Sequence, residues 1–375
     1  MIYLDYSANT PVSPRVLQSF TDAAARYVGN PNSNHPAGLA AKAAIDEATA
    51  RIAAALGVQP DEIIYTSGAS ESNNTAIRGI LHASRHIGRH VLTTPLEHPS
   101  VSGCLTAAME RGYEIDMLSV GHDGRIDPEE VRSLLRPDTV LVAMTAVDSE
   151  LGTVQPVREV ARALRGVANC CLHVDATQAI GKLPFSFDEV DTVSFAPHKF
   201  GGIVGSGVLF KRHGLAIEPL IYGGTSTTLY RSGTPAAAIA VSTAEAVCAA
   251  IGGMEDNTAI VRGHNARLRD FFARYPKVQL NSPDDAIPHI LNLSVEGVRG
   301  TSFQQALAAA GICVSVKSAC AVEGTPSRAV MAVSRDRKRA LSSFRISLSH
   351  LTTADELLEF ETVFDRLYTE FETHE

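Results

Sequence analysis

Between residues 60 and 215, short apolar runs alternate with amphipathic stretches of helical period, and this rhythm restricts the fold more than any other feature. Seven runs read as strands: 63–66, 91–94, 115–120, 139–147, 170–174, 192–195 and 207–211. Several are apolar throughout rather than alternating, the pattern of strands covered on both faces. Helical patterns fill the gaps. Asp127-Pro128-Glu129-Glu130 supplies an N-cap, a first-turn proline and early acids, and 156–165 gives the next helix. The expectation is an α/β architecture with a mostly parallel seven-stranded sheet.

After Thr234 the rhythm changes. An Ala-rich helical region spans 235–275, followed by a strand at 290–295, a helix at 303–310 and strands at 312–316 and 344–349. Thr353-Ala354-Asp355-Glu356 forms a capping box that opens a last helix. A chain of 375 residues exceeds one small core. We therefore expect a large domain over 15–255 and a smaller α+β domain built from 1–14 with 256–375.

Bulk properties exclude several classes. With 45% hydrophobic and 20% charged residues the composition is that of an ordinary globular protein, and a net charge of −8 offers no basic surface for nucleic acid. Met1-Ile2-Tyr3-Leu4-Asp5 lacks a signal-peptide layout, and Glu245 marks the apolar stretch 236–253 as a buried helix rather than a membrane span. A cytoplasmic enzyme is the expectation. The six cysteines include no Cys-x-x-Cys pair, which argues against a zinc knuckle or dithiol site. Cys170, Cys171, Cys248 and Cys313 lie in apolar runs and are expected to act as small buried hydrophobes. Cys320 sits instead in a polar loop containing Gly324 and Pro326.

Chemistry concentrates in two strand ends. His173-Val174-Asp175-Ala176-Thr177-Gln178 and Ser194-Phe195-Ala196-Pro197-His198-Lys199 place an acid and a lysine where pyridoxal phosphate needs them. The lysine forms a Schiff base with the aldehyde, and the carboxylate keeps the pyridine nitrogen protonated. Thr66-Ser67-Gly68-Ala69-Ser70-Glu71 joins a strand to a helix, so Gly68, Ala69 and Ser70 present N–H groups and a hydroxyl to a phosphate. His98, after another strand, is placed to stack on the ring and shuttle protons, although a lone histidine there is more often a loop residue.

These motifs, in this order, make the chain resemble the cysteine desulfurases of the NifS/IscS type. That group lies within the class V aminotransferase-like, fold-type-I pyridoxal phosphate enzymes. The resemblance also rests on Tyr3-Leu4-Asp5-Tyr6-Ser7-Ala8-Asn9-Thr10-Pro11, Gly29-Asn30-Pro31-Asn32-Ser33-Asn34-His35, Arg231-Ser232-Gly233-Thr234, Ser318-Ala319-Cys320 and Phe344-Arg345-Ile346-Ser347-Leu348. It implies that Lys199 carries the cofactor, Asp175 pairs the ring nitrogen, Gln178 bonds the ring hydroxyl and His98 stacks on the ring. Gly68, Ala69, Ser70 and His198 would seat the phosphate, with Thr234 reaching across from the second subunit of a homodimer. Arg345 would clamp the carboxylate of L-cysteine, with Asn30 and Ser149 beside it. Cys320 would take the sulfur as a persulfide and pass it to an acceptor protein, an iron–sulfur scaffold or a tRNA-thiolation factor. No metal is expected.

Three departures stand out. Asp148-Ser149-Glu150 replaces the family's Asn-Asn-Glu, Ala196 replaces a hydroxyl residue, and Gly201 to Gly207 lacks a Pro-Lys pair. The alternatives are a selenocysteine lyase-like enzyme, an aminotransferase, or a non-catalytic scaffold of a sulfur-transfer complex.

Overall fold

The computed structural model describes residues 1–167, 169–316 and 324–373. Its centre is a seven-stranded sheet in the spatial order Ile63–Thr66, Gly207–Lys211, Thr192–Phe195, Cys171–Asp175, Thr139–Thr145, His90–Thr93, Glu114–Met117. The last five are mutually parallel, and Gly207–Lys211 runs antiparallel to both its neighbours, so six strands share one direction. Consequently Thr66, Thr93, Thr145, Asp175 and Phe195 all finish at one edge. Strand order reverses between His90–Thr93 and Thr139–Thr145, and that reversal opens a crevice at the carboxyl edge.

The continuous apolar runs have the cause the sequence suggested. In Thr139–Thr145, Leu141 and Ala143 pack with Ile77 and Ile80 of helix Ala69–Ala83, while Val142 and Met144 face the opposite layer. That layer holds helices Pro36–Leu56, Val157–Ala163 and Ala237–Gly252. With both faces covered, alternation disappears. The exception is the edge strand Glu114–Met117, whose residues are all at least partly exposed.

A second hydrophobic cluster gathers Leu4, Leu268, Phe272, Phe303, Phe344, Phe360 and Phe364. It lies between a three-stranded antiparallel sheet (Ser343–Ser347, Ile290–Val295, Val278–Leu280) and helices Met254–Phe272, Gly300–Ala309 and Ala354–Thr373. Ile2–Tyr3 pairs in parallel with Ile312–Cys313. The Ser347 N–H donates to Leu4 O, which lays residues 2–5 across this unit and directs Ser7 and Ala8 toward the crevice.

Three expectations need correction. The helical region 235–275 is two helices, Ala237–Gly252 and Met254–Phe272, bent by 64° at adjacent glycines with poor helix propensity. Strand 312–316 shortens to Ile312–Cys313, 115–120 to Glu114–Met117 and 139–147 to Thr139–Thr145. Cys170, Cys171, Cys248 and Cys313 are only half-buried, and it is Cys104 that is buried. Among the described residues, no single helix is long and apolar enough to cross a membrane.

Candidate active site

A cavity of about 390 Å³ occupies the crevice. Its chemical groups come from the connections at the carboxyl edge of the sheet. Asp175 ends its strand buried, accepting from Asn73 Nδ2 at 2.8 Å and from the Thr177 N–H at 3.0 Å. Asn73 is oriented in turn by His173, whose Nε2 lies 3.0 Å from Asn73 Oδ1. Burial drives the His173 pKa down to about 4, so this imidazole is neutral, with Nδ1 on Thr192 Oγ1 and Nε2–H on the amide.

Asn73 Nδ2 also reaches Ser100 Oγ at 2.8 Å, and that hydroxyl lies 2.8 Å from His98 Nδ1. The Ser100 N–H donates to the same Nδ1 at 3.1 Å, which places the ring hydrogen of His98 on Nε2. Burial lowers the His98 pKa against the pull of Asp175. Behind it, burial raises buried Glu97 to about 8, although Thr94 Oγ1 and the Thr145 N–H both donate to its Oε1.

Lys199 follows Thr192–Phe195 in a single 3₁₀ turn. Its Nζ donates to the carbonyls of Ser7 at 2.8 Å and Ala8 at 2.7 Å. The Gln178 Nε2 meets the same Ser7 carbonyl at 3.0 Å. Across the cavity stands the N-terminal turn of helix Ala69–Ala83, preceded by Gly68 at φ +157°. A Cβ on Gly207 would lie 2.5 Å from Gly68 Cα, so only glycine lets that strand support the turn. Glu71 in this turn accepts from the Ser67 N–H and from Arg231 Nε at 2.9 Å, and these bonds outweigh burial to lower its pKa.

Arg345 is 2% exposed. Its Nη1 donates to Ser149 O at 2.6 Å and its Nη2 to Asp5 Oδ1 at 2.8 Å. Lys199, Asp175, Gln178, His98, His198, Gly68, Ala69, Ser70, Ser149 and Arg345 therefore share one cavity wall. Asn30 and Thr234 lie outside that wall in exposed positions. Cys320 lies outside the described residues. Burial pushes the Cys104 thiol to about 11 and the Cys170 and Cys171 thiols to about 12, so these three are poor nucleophiles at neutral pH.

Four buried polar atoms on the cavity wall have no hydrogen-bond partner among the described residues: Ser7 Oγ, Thr177 Oγ1, His198 Nδ1 and Arg345 Nε. Buried polar groups are nearly always satisfied, so a gathering of orphans marks the seat of a polar ligand. The donor set suits one that carries both anionic and hydrogen-bonding groups.

The comparisons with known proteins agree with this geometry. The family model for class-V aminotransferases matches residues 2–360. The chain belongs to that family. This class-V protein is 35% identical to the cysteine desulfurase IscS of Dictyoglomus turgidum, over 99% of this chain and 95% of that one. A solved NifS-like protein superposes with a TM-score of 0.93 at 32% identity, covering 98% of this chain and 99% of the other. The structure of SspA in complex with cysteine gives 0.82 at 29% identity, over 94% of this chain and all of that one.

Within this class-V scaffold the departures acquire physical reasons. Asp148 Oδ1 accepts from the N–H groups of Glu150 (3.0 Å) and Leu151 (2.5 Å), which an asparagine carbonyl would serve equally. Burial, then the charge of Glu150, raises Asp148 to about 7. Ser149 meets Arg345 through its backbone carbonyl, a contact that does not depend on its side chain. Ala196 is fully buried and stands off the cavity wall. Sequence reasoning gave no role to Asn73, two residues beyond the Thr66 to Glu71 motif, nor to Ser7 and Ala8, which act through carbonyls that every residue type possesses.

Proposed function

We propose that this protein is a pyridoxal phosphate-dependent cysteine desulfurase that converts L-cysteine to L-alanine and passes the sulfur to Cys320. One observation carries the reading: Lys199, Asp175 and four buried polar atoms without a partner among the described residues share a single cavity. Lys199 would carry the cofactor, and Asp175 would face its ring nitrogen. Gln178 would donate to the ring oxygen, with His98 against the ring face. Gly68, Ala69, Ser70 and His198 Nδ1 would hold the phosphate. Bound there, the cofactor supplies an electron-accepting ring joined to the substrate amine.

The chain's own groups then divide the remaining work. Arg345, anchored through both Nη atoms, offers its guanidinium edge to the substrate carboxylate. Lys199 Nζ takes the proton from the substrate Cα, and the Ser7 and Ala8 carbonyls hold the ammonium that results. The substrate Cβ–S bond breaks as Cys320 sulfur bonds the departing sulfur. Cβ gains a proton, alanine leaves, and Cys320 keeps a persulfide for an acceptor protein, of the iron–sulfur scaffold or tRNA-thiolation type. We further infer a homodimer in which exposed Thr234 completes a neighbour's phosphate site, and Asn30 lies near the substrate in the assembled enzyme. The domain division at 15–255 and 1–14 with 256–375 is part of the same reading, supported by the separate hydrophobic clusters. A cytoplasmic location fits it as well.

The test is incubation with L-cysteine. Alanine should form, and the Cys320 peptide should gain the mass of one sulfur atom. Cys320→Ala should keep the visible absorption of the bound cofactor and lose both products. Undiminished alanine formation by Cys320→Ala would falsify the reading and favour a lyase that needs no protein thiol.

A further inference from the structure

Four residues beyond Gln178, behind the cavity wall, lies Lys182. It is 7% exposed, and its Nζ donates to Gln178 Oε1 at 2.5 Å. The other end of the same amide, Nε2, donates to Ser7 O at 3.0 Å. A flipped amide would set Oε1 against the Ser7 carbonyl and its NH₂ against the Lys182 ammonium, two repulsive contacts in place of two bonds. The orientation is therefore fixed from both sides, and the second hydrogen on Nε2 remains for the cavity.

The charge on Lys182 has an unusual setting. Among the described residues, the ionic groups acting on it are Lys199 and Arg345, and it acts in turn on the neighbouring rings of His198 and His289, the latter beside His350. None of these is a carboxylate. Burial first, then the two like charges, pulls the Lys182 ammonium down to about 7. A buried cation without a counter-charge is costly. A negative oxygen on the cavity side of Gln178 would sit one amide away from this charge and compensate it.

We propose that Lys182 is a positioning residue that acts through Gln178, locking the amide so that an N–H faces the ring oxygen of the cofactor and draws off its negative charge. This rests on the reading of the cavity as a pyridoxal phosphate site. The consequence is spectroscopic. The bond between Lys199 and the cofactor holds its proton more tightly when the adjacent ring oxygen is more negative. A donor on that oxygen lowers the pH at which the visible band titrates.

The experiment titrates that band in the purified holoenzyme. Lys182→Met should move the midpoint upward by about one unit, the size expected when a bond to a charged group is weakened. Lys182→Arg, which keeps a donor, should titrate like the wild type. Gln178→Ala combined with Lys182→Met should shift no further than Gln178→Ala alone. An unchanged midpoint in Lys182→Met, or additive shifts in the double variant, would overturn the proposal. Should Lys182→Met fail to fold, Gln178→Ala decides, because no shift there removes the path through which Lys182 acts. A wild type without any visible band would instead overturn the reading of the cavity itself.

Discussion

The Nη2 of Arg345 lies 2.8 Å from Asp5 Oδ1, an ion pair that joins positions 340 residues apart. With the Ser149 carbonyl on Nη1, it fixes the guanidinium plane at both ends and leaves Nε unpartnered. Arg345→Lys keeps the charge and loses the fork. The KM for L-cysteine should rise roughly tenfold or more, as the loss of a bond between charged groups implies, with a smaller change in kcat. Steady-state kinetics on purified protein would show this, and an unchanged KM would remove Arg345 from the substrate site.

Asn73 supports the carboxylate of Asp175, and His173 supports Asn73. Asn73→Ala deprives Asp175 of its side-chain donor and removes the bond from Asn73 to Ser100 Oγ, the hydroxyl that contacts His98 Nδ1. Cofactor affinity should fall roughly tenfold, by about 1.5 kcal/mol, which equilibrium titration of the apoprotein would measure. Affinity equal to the wild type would show that Thr177 alone suffices to hold Asp175.

Glu97 should make stability depend on pH. Its folded-state pKa of about 8 lies above the ordinary 4.5, so its stabilising effect is complete below about 4.5 and is lost as pH rises through about 8. Glu97→Gln stays neutral throughout. Its Tm relative to the wild type should climb between pH 5 and pH 8, the window those values define. Asp148→Asn should behave likewise between about 3.8 and about 7. Parallel Tm profiles for wild type and variant would show that the buried carboxyl does not titrate in this window.

Gly207→Ala sets a methyl 2.5 Å from Gly68 Cα. Backbone must move, at about 1–3 kcal/mol, and the Tm should drop by a few degrees. Because the displaced turn would seat the phosphate, cofactor retention through gel filtration should decline as well. Gly224→Ala, whose added methyl meets nothing within 4 Å and whose φ, like that of Gly207, is not positive, serves as the control for glycine replacement.

Much of this was legible in the sequence because strands buried on both faces leave unbroken apolar runs, and because Asp175 and Lys199, each alone an ordinary loop charge, come together with Gln178 and His198. The capping box at Thr353 is present, with the Thr353 N–H on Glu356 Oε2 at 2.8 Å and the Glu356 N–H on Thr353 Oγ1 at 3.2 Å. Less legible was whatever acts through the backbone or at long range. The Ser7 and Ala8 carbonyls leave no mark in residue type. The two-residue strands Ile2–Tyr3 and Ile312–Cys313 are too short to show a period. Lys182, after a turn and before Pro184, reads as a loop charge until its burial is seen.

The lacing of residues 2–8 has a consequence for the order of events in the cell. This segment leaves the ribosome early, yet Tyr3 pairs with Cys313, and the Ser7 N–H bonds Ser347 Oγ, 340 positions later. Such contacts form late, since the intervening chain must be made and its loop closed first. Until strand Ser343–Ser347 emerges, the segment lacks the Ser347 contacts to Leu4 and Ser7 and is held at the crevice by the bonds from Gln178, Lys199 and the Thr10–His198 pair. The central sheet, whose strands all lie within residues 63–211, can assemble well before then. Cofactor capture by a complete cavity thus waits until residues 343–347 have been made, and a nascent chain that stops short of them carries a sheet without Arg345 at its centre.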